Sequence, residues 1–346
     1  MKPTLNDIAR KTGLTAASVS MILTGKHIER FPSATVEKVE AAAAELGYVP
    51  KKDRKSPPHI LIVCPSVINP YFATLLQGME SEADKLGWTT EIANTYWSRE
   101  REKRIIEMSR QHLIKGVIFA MVPQQPELVE ELARLKPVIV VGDKGSAGNL
   151  DTVDVNNFNA GYRLGMHLIE LGHKHIAYLS TTLNKEHSSR VFRLNGLEAS
   201  YRTLASEGSI RVLTSDVDYK TEIDNVEIEH MTGRKLAFEF LEKAKEATAA
   251  VAINDMIAYG VIDGLKERGY RIPEDYSVCG FDNIYPSKFS GIGLTTIDQF
   301  INQKGRTAFS LMATKLTRES GKHTTTHVEF NSELVVRTST APARMS

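Results

Sequence analysis

The stretch TLNDIARKTGLTAASVSMIL, Thr4–Leu23, decides how this chain is read. Thr4 and Asp7 stand three apart ahead of an apolar pattern, the spacing of a capping box with Asp in place of the usual Glu. Leu5, Ile8 and Ala9 then share one helical face. Gly13 falls where a helix ends in a left-handed residue. Thr15 is set to cap a second helix whose inward face is Val19, Ile22 and Leu23. A third helix is expected from Ser33, burying Val36, Val39, Ala43 and Leu46 and stopping at Gly47. Three short helices on one small core, two of them joined by a glycine-containing turn, form the helix-turn-helix pattern. The second helix carries no Arg, Lys, Asn or Gln, so any base reading by it rests on other chemistry.

Working outward, 346 residues exceed what one core fills, and two or three domains are expected. With 42% hydrophobic and 25% charged residues the balance is that of an ordinary globular chain. No apolar run approaches the roughly 20 residues of a membrane span, and the N-terminus reads as a capped helix rather than a signal segment. No membrane association and a cytoplasmic location are therefore expected. Cys64 and Cys279 lie in apolar, strand-like runs and read as packing residues, not a disulfide. Residues 1–58 hold ten Lys/Arg against six Asp/Glu, while the remainder holds 33 against 36. A basic N-terminal module on a slightly acidic body suits an attached nucleic-acid binder.

The first fifty residues, TLNDIARKTGLTAASVSMIL followed by VEKVEAAAAELGYVP, closely resemble the DNA-binding headpiece of the LacI/GalR family of bacterial transcriptional regulators. The resemblance implies that the second helix lies in the major groove, with Thr15, Ala16, Ala17, Ser20 and Met21 facing the bases. Members commonly carry longer polar groups at the positions of Ala16 and Ala17, and often arginine at that of Met21. Arginine reads guanine through two hydrogen bonds and methionine does not. Ala and Met instead pack on thymine methyls, while Thr15 and Ser20 bond phosphate or base edges. Thr4, Asn6, Thr24, Lys26 and His27 then position the duplex through its backbone. Two departures stand out. The segment TGKHIERFPSATVEKV is about two residues longer than expected. The linker Lys51-Lys52-Asp53-Arg54-Lys55-Ser56-Pro57-Pro58 lacks the leucine that members wedge into the minor groove from a hinge helix, and its prolines favour an extended backbone. Its basic residues hold phosphates or form a solvated tether.

From His59 on, the runs ILIVCPS, TTEIAN, GVIFAMV, PVIVVGD, HKHIAYLS, IRVLTS, AAVAIN and SVCGFD alternate with helical stretches such as 70–86, 157–171, 190–206 and 256–268. Repeated βαβ units predict parallel sheets with helices on both faces, and about 290 residues suit two sheets. The small-residue break at Gly145–Asp151 is the expected division. NPYFATLLQGME, LGHKHIAYL, RLNGLEA, AINDMIAYG and GYRIPEDYSVCGFDN resemble the effector domain of the same family, which is similar to periplasmic sugar-binding proteins. The resemblance implies two α/β lobes closing on a small ligand at the carboxyl ends of strands. Its implied ligand residues are the aromatic pair Tyr71 and Phe72, Arg193 in R-x-x-G with Arg190 a weaker candidate, Asp255, and Asp282 in SVCGFD. Asp255 is alternatively a cap for the helix beginning at Met256. In DVNN, Val155 takes the place of a family aspartate, which turns Asp154 to the opposite face and leaves Asn156 as the contact. Trp97 after the second strand and Tyr219 complete the set. The acidic segment SDVDYKTEIDNVEIEHMTG is longer than expected and is either a solvated loop or a cover for the pocket entrance.

His173 and His175 form an H-x-H pair near His167, but no cysteine or carboxylate cluster joins them, so no metal is expected. No G-x-G-x-x-G follows the first strand, and neither a Walker lysine nor a nucleophile elbow is present. No catalytic role and no cofactor are expected. The expected fold is an all-α helix-turn-helix headpiece (1–50), a basic Pro-containing linker (51–58) and an α/β periplasmic-binding-protein-like effector domain (59–346) with parallel sheets. Its lobes are expected at about 59–152 with 283–318, and 153–282 with 319–340. The expected function is a regulator, more often a repressor, acting as a homodimer on a palindromic double-stranded DNA operator under control of a small effector, most readily a sugar. The alternatives are control by a protein co-regulator, and a sugar-modifying enzyme.

Overall fold

The computed structural model describes residues 3–23, 30–46, 48, 57–111, 113–143, 147–184, 188–217, 219–289, 291, 293–317 and 324–344. It divides into two units, Met1–Pro58 and His59–Ser346. In the first, α1 (Leu5–Thr12), α2 (Ala16–Leu23) and α3 (Ser33–Glu45) form the three-helix headpiece. The Asp7 carboxylate accepts from both the backbone amide and the hydroxyl of Thr4, at 2.8 and 2.7 Å. Gly13 ends α1 at φ 75°, a conformation a side chain resists. The Thr15 hydroxyl accepts from the Ser18 amide at 3.1 Å, which caps α2. Ile8, Val19, Ile22 and Val39 close the core, with Leu5, Val36 and Leu46 packed against it. Gly47 and linker residues 51–56 lie outside the described residues.

The second unit begins with β1 (His59–Cys64), α4 (Pro70–Leu86), β2 (Thr89–Asn94), α5 (Arg99–Ser109), β3 (Ile114–Phe119), α6 (Pro126–Ala133), β4 (Val138–Val141) and β5 (Asp151–Val155). There follow α7 (Asn157–Glu170), β6 (His175–Ser180), α8 (Ser188–Leu204), β7 (Ser209–Thr214), α9 (Tyr219–Asp224), α10 (Ile228–Lys243), β8 (Ala249–Ala252), α11 (Asp255–Glu267), β9 (Ser277–Asp282) and β10 (Thr295–Asp298). The chain closes with α12 (Ile301–Thr317), β11 (His327–Phe330) and β12 (Glu333–Val335). One sheet runs β11-β5-β4-β3-β1-β2 and the other β12-β10-β9-β8-β6-β7. Among the described residues all pairings are parallel except β10 with β12. In β1, Ile60, Ile62 and Cys64 enter one core and Leu61 and Val63 the other, the two-residue period of a strand covered on both faces.

The two-sheet expectation holds, but the lobe boundaries move. The break at Gly145–Asp151 precedes β5, which pairs with β4, so the chain crosses after Val155 and not at 152. β10 pairs with β9 in the second sheet and so departs from the first lobe expected for 283–318. β11 pairs with β5 in the first sheet and so departs from the second lobe expected for 319–340. These strands are three to five residues long, and β10, β11 and β12 are joined to their neighbours by no βαβ unit of their own. Their sheet is set by pairing, which local pattern does not report.

Reciprocal glycines fix the helix pairs. A Cβ at Gly161 of α7 would strike the Arg193 carbonyl oxygen, and one at Gly196 of α8 would strike that of Phe158. The same reciprocity joins α10 to α11 through Gly233 and Gly260, and α4 to α12 through Gly78 and Gly305. Gly196→Ala is therefore expected to cost about 2 kcal/mol or more through forced separation of α7 from α8. Gly291→Ala, with open space around its Cβ, is expected to stay within about 0.5 kcal/mol of the parent. Urea unfolding of the two variants beside the parent checks the contrast.

Candidate functional site

A cavity of about 180 Å³ opens between the two sheets of the second unit. It is built at the carboxyl ends of parallel strands, where backbone ends are free to bond a ligand. Ser66 follows β1, Trp97 follows β2, Ala120–Val122 follow β3, Asp154 is the next-to-last residue of β5, Ile253 follows β8 and Asp282 ends β9. Tyr71 and Phe72 enter from the first turn of α4, their rings edge to face at 5.0 Å. Asn69 caps that helix, its Oδ1 accepting from the Tyr71 amide at 2.8 Å, which fixes where the aromatic pair points.

Asp282 stands in the cavity wall on unusual backbone. Its backbone sits at φ 122°, a conformation that costs free energy and persists because its surroundings impose it. The side-chain amide of Gln299 donates to Asp282 Oδ1, and Arg193 Nη2 lies 4.0 Å from the same oxygen. Lys304 Nζ, itself buried, donates to Tyr71 OH at 2.8 Å and to Gln299 Oε1 at 3.3 Å. A continuous polar chain thus runs from Tyr71 to Arg193. Burial pushes the Asp282 carboxyl well above the usual carboxylate range, against the pull of Arg193. Arg193 is held from three sides. Nε donates to Asn157 Oδ1 at 3.0 Å, Nη1 donates to the Ile253 carbonyl, and the guanidinium lies over Phe281 at 4.7 Å.

Two expectations are corrected here. Asp154, assigned to the far face, lines the cavity, while Asn156 caps α7 by accepting from the Asn159 amide at 2.9 Å and donates to Glu329 at 3.2 Å. Asp154 is the next-to-last residue of β5 and its side chain reaches the cleft, whereas Asn156 lies beyond the strand and is taken up by the start of α7. Asp255 does not line the cavity. It is wholly buried, and its oxygens accept from Thr296 Oγ1 and Ser287 Oγ, both at 2.6 Å, and from the Ile284 amide at 3.1 Å. It pins the loop that follows Asp282. Nor does it cap its helix: Asn254 does, accepting from the Ile257 amide at 2.8 Å. Burial raises the Asp255 carboxyl to about 7.

Tyr71, Phe72, Trp97, Arg193 and Asp282 are brought together as read from the sequence, and Arg190 joins them. Tyr219 opens α9, but its side chain lies outside the described residues. The acidic segment walls the cavity, since Asn225, Val226, Ile228, Glu229 and His230 all line it. Glu229, Asn69, Gln299 and Lys304 belong to the site beyond the residues expected from sequence. Nothing in a segment with six carboxylates singles out Glu229, whereas N-P after a strand is a visible helix-start signal for Asn69. In the first unit, Thr4, Asn6, Thr15 and Ala17 are exposed and Ser20 and Met21 half-buried. Ala16 leans on the headpiece core. Thr24, Lys26 and His27 lie outside the described residues.

Both ring nitrogens of His173 are taken, by Thr248 Oγ1 at 2.7 Å and the Ala341 carbonyl at 3.0 Å, so this histidine straps down the C-terminal segment. Among the described residues no group of His, Cys, Asp or Glu is placed to hold a metal ion, and no helix is long and apolar enough to cross a membrane. Cys64 and Cys279 are buried free thiols.

Residues 57–333 match the model of periplasmic binding proteins and the sugar-binding domain of the LacI family, and residues 4–51 match that of bacterial regulatory proteins of the lacI family. The chain belongs to the LacI family. It is 30% identical to the HTH-type transcriptional repressor PurR of Vibrio atlanticus, over 96% of this chain and 97% of that one. It is 28% identical to the repressor CytR of Escherichia coli, over 97% and 96%. A LacI family regulator from Enterococcus faecium, solved with bound ribose, superposes with a TM-score of 0.70 at 27% identity, covering 83% of this chain and all of that one. As a member of this family the chain is a DNA-binding transcriptional regulator and not an enzyme.

Burial raises the Asp154 carboxyl to about 6, against the pull of Lys304. The folded state thus holds a proton between the ordinary 3.8 and about 6 that the unfolded state has released. Stability contributed by that proton is present below the ordinary value and lost as pH rises through about 6. Asp154→Asn is expected to unfold later than the parent at pH 7.5, by up to roughly 2–3 kcal/mol. The gap should narrow as pH falls toward 5. Thermal melts across that range check it, and an Asn variant less stable throughout would contradict it.

Proposed function

We propose that this regulator is a repressor whose operator affinity is set by a small, neutral, polyhydroxylated metabolite held between the two lobes. The observation that carries this is the charge of the cavity wall. Asp154, Glu229 and Asp282 face it against Arg190 and Arg193, and the Arg193 charge is already drawn toward Asp282. Carboxyl oxygens accept hydroxyl hydrogens and have no donor pattern suited to a phosphate, so a free sugar or the sugar part of a nucleoside fits where a sugar phosphate does not. The edge-to-face aromatic pair Tyr71 and Phe72 offers an apolar wall for a sugar face or a flat base. The ribose bound by the Enterococcus faecium relative, and the full-length likeness to repressors, support this reading.

The operator is double-stranded DNA with approximate two-fold symmetry, read by a homodimer. One eight-residue helix contacts too few base pairs for specificity, and a second copy doubles the site. The exposed Tyr285 and Phe289, ring to ring at 5.5 Å, give the second unit an apolar surface suited to that pairing. On α2, Ala17 and Met21 face the bases and pack on thymine methyls, and Thr4, Asn6, Thr15 and Ser20 hold the backbone. Ala16, turned toward the core, contributes less.

Selection of bound sequences from a random duplex pool tests the DNA half of this reading. The parent should recover a palindrome with thymine opposite α2. Met21→Arg should shift one position of each half-site toward guanine, by a discrimination of about 1–3 kcal/mol. Recovery of no motif, or of a guanine-dependent one by the parent, would overturn the assignment.

A further inference from the structure

Glu229 stands on the first turn of α10, in the second lobe, and both its oxygens are engaged. Oε2 accepts from Asn69 Nδ2 at 2.5 Å and Oε1 from Asn254 Nδ2 at 3.0 Å. Asn69 belongs to the first lobe, where it caps α4, and Asn254 to the second, where it caps α11. Each asparagine uses its oxygen for the cap, taking the amide of Tyr71 or Ile257 at 2.8 Å. That requirement fixes the amide orientation, so both NH2 groups turn outward toward one point between the lobes. Only an acceptor fits between two such donors, and a carboxylate also suits the positive ends of the two helices. Burial raises the Glu229 carboxyl, and the bonds from Asn254 and Asn69, with the nearby Arg190 charge, offset part of that cost.

We propose that Glu229 is a positioning residue that ties the cap of the Tyr71-bearing helix to the cap of α11 and so sets how far the cleft is closed before any ligand enters. The Asn69–Glu229 bond spans the lobes on one side of the cavity. Ser188, donating to Asp143 at 2.5 Å, spans them on another. Of the two, only the former acts through a helix that carries ligand-facing aromatics. The proposal rests on the reading of the cavity as the effector site, but its test needs no ligand, so the two fail separately.

The test is the interlobe distance in the ligand-free full chain. Spin labels on Glu107→Cys in α5 and Arg202→Cys in α8 use two exposed positions on opposite lobes, and the native cysteines are buried. Double electron–electron resonance on labelled protein diluted with excess unlabelled chain, so that distances within one protomer dominate, should give one narrow distance distribution for the parent. Glu229→Gln places one NH2 against another and should lengthen and broaden it, as should Asn69→Asp, which opposes two carboxylates. Combining Asn69→Asp with Glu229→Gln exchanges donor and acceptor, keeps an effective helix cap and leaves an oxygen for Asn254. The double variant should recover the parent distribution. A general loss of packing would not be rescued this way. Unchanged distributions in both single variants, or no recovery in the double variant, would overturn the proposal.

Discussion

Placing carboxylates where water is scarce is the constraint from which the cleft is built. An ionised carboxylate in such a site costs several kcal/mol unless donors and positive charge surround it. Each buried acid here carries its own answer. Asp255 is saturated by two hydroxyls and an amide, Glu229 by two asparagines, and Asp282 by Gln299 and the more distant Arg193, with Lys304 behind Gln299. The supports grow thinner toward the cavity. Asp255, fully provided for, is structural, whereas Asp154 and Asp282 face the space where a ligand's hydroxyls would supply further donors. The φ of 122° at Asp282 places the least comfortable backbone at the same point.

The helices that border the cleft give the second source of compensation. α4, α7 and α11 all start at the cleft and are capped by Asn69, Asn156 and Asn254. Their N-termini lend partial positive charge to the region where the acids gather. Those starts stay in register because the reciprocal glycines allow α4 to press on α12, α7 on α8 and α10 on α11 at backbone distance. Arg193 depends on this directly, since its own carbonyl oxygen is the atom against Gly161. Packing at the middle of the helices therefore sets side-chain placement at their ends.

Local pattern made much of this legible. The capping box at Thr4, the left-handed Gly13, the cap at Thr15 and helices such as 70–86 are short-range features, and each lies where its spacing puts it. Tyr71, Phe72, Trp97 and Arg193 follow from strand ends and family motifs. What escaped depends on long-range pairing. β10, β11 and β12 are too short to declare a sheet, so the lobe boundaries drifted. Asp154 faces the cleft and Asn156 does not because Asn156 stands past the strand, where the start of α7 takes its side chain as a cap. Asp255 and Asp282 are both aspartates after apolar strands, and only the contacts of Thr296, Ser287 and Gln299 separate a supporting acid from one that faces the ligand space. Glu229 is one of several acids in its segment, and its partners lie 160 and 25 residues away.

In this structure the acids of the cleft wait for hydroxyl donors from a ligand. Calorimetric titration of the full chain with neutral pentoses, hexoses and nucleosides, each beside its phosphate, measures that most directly when repeated on Asp282→Asn. A neutral compound should bind, its phosphate should bind at least tenfold more weakly, and Asp282→Asn should abolish the binding while the protein stays folded. Tighter binding of a phosphate, or a neutral ligand held equally well by Asp282→Asn, would contradict it.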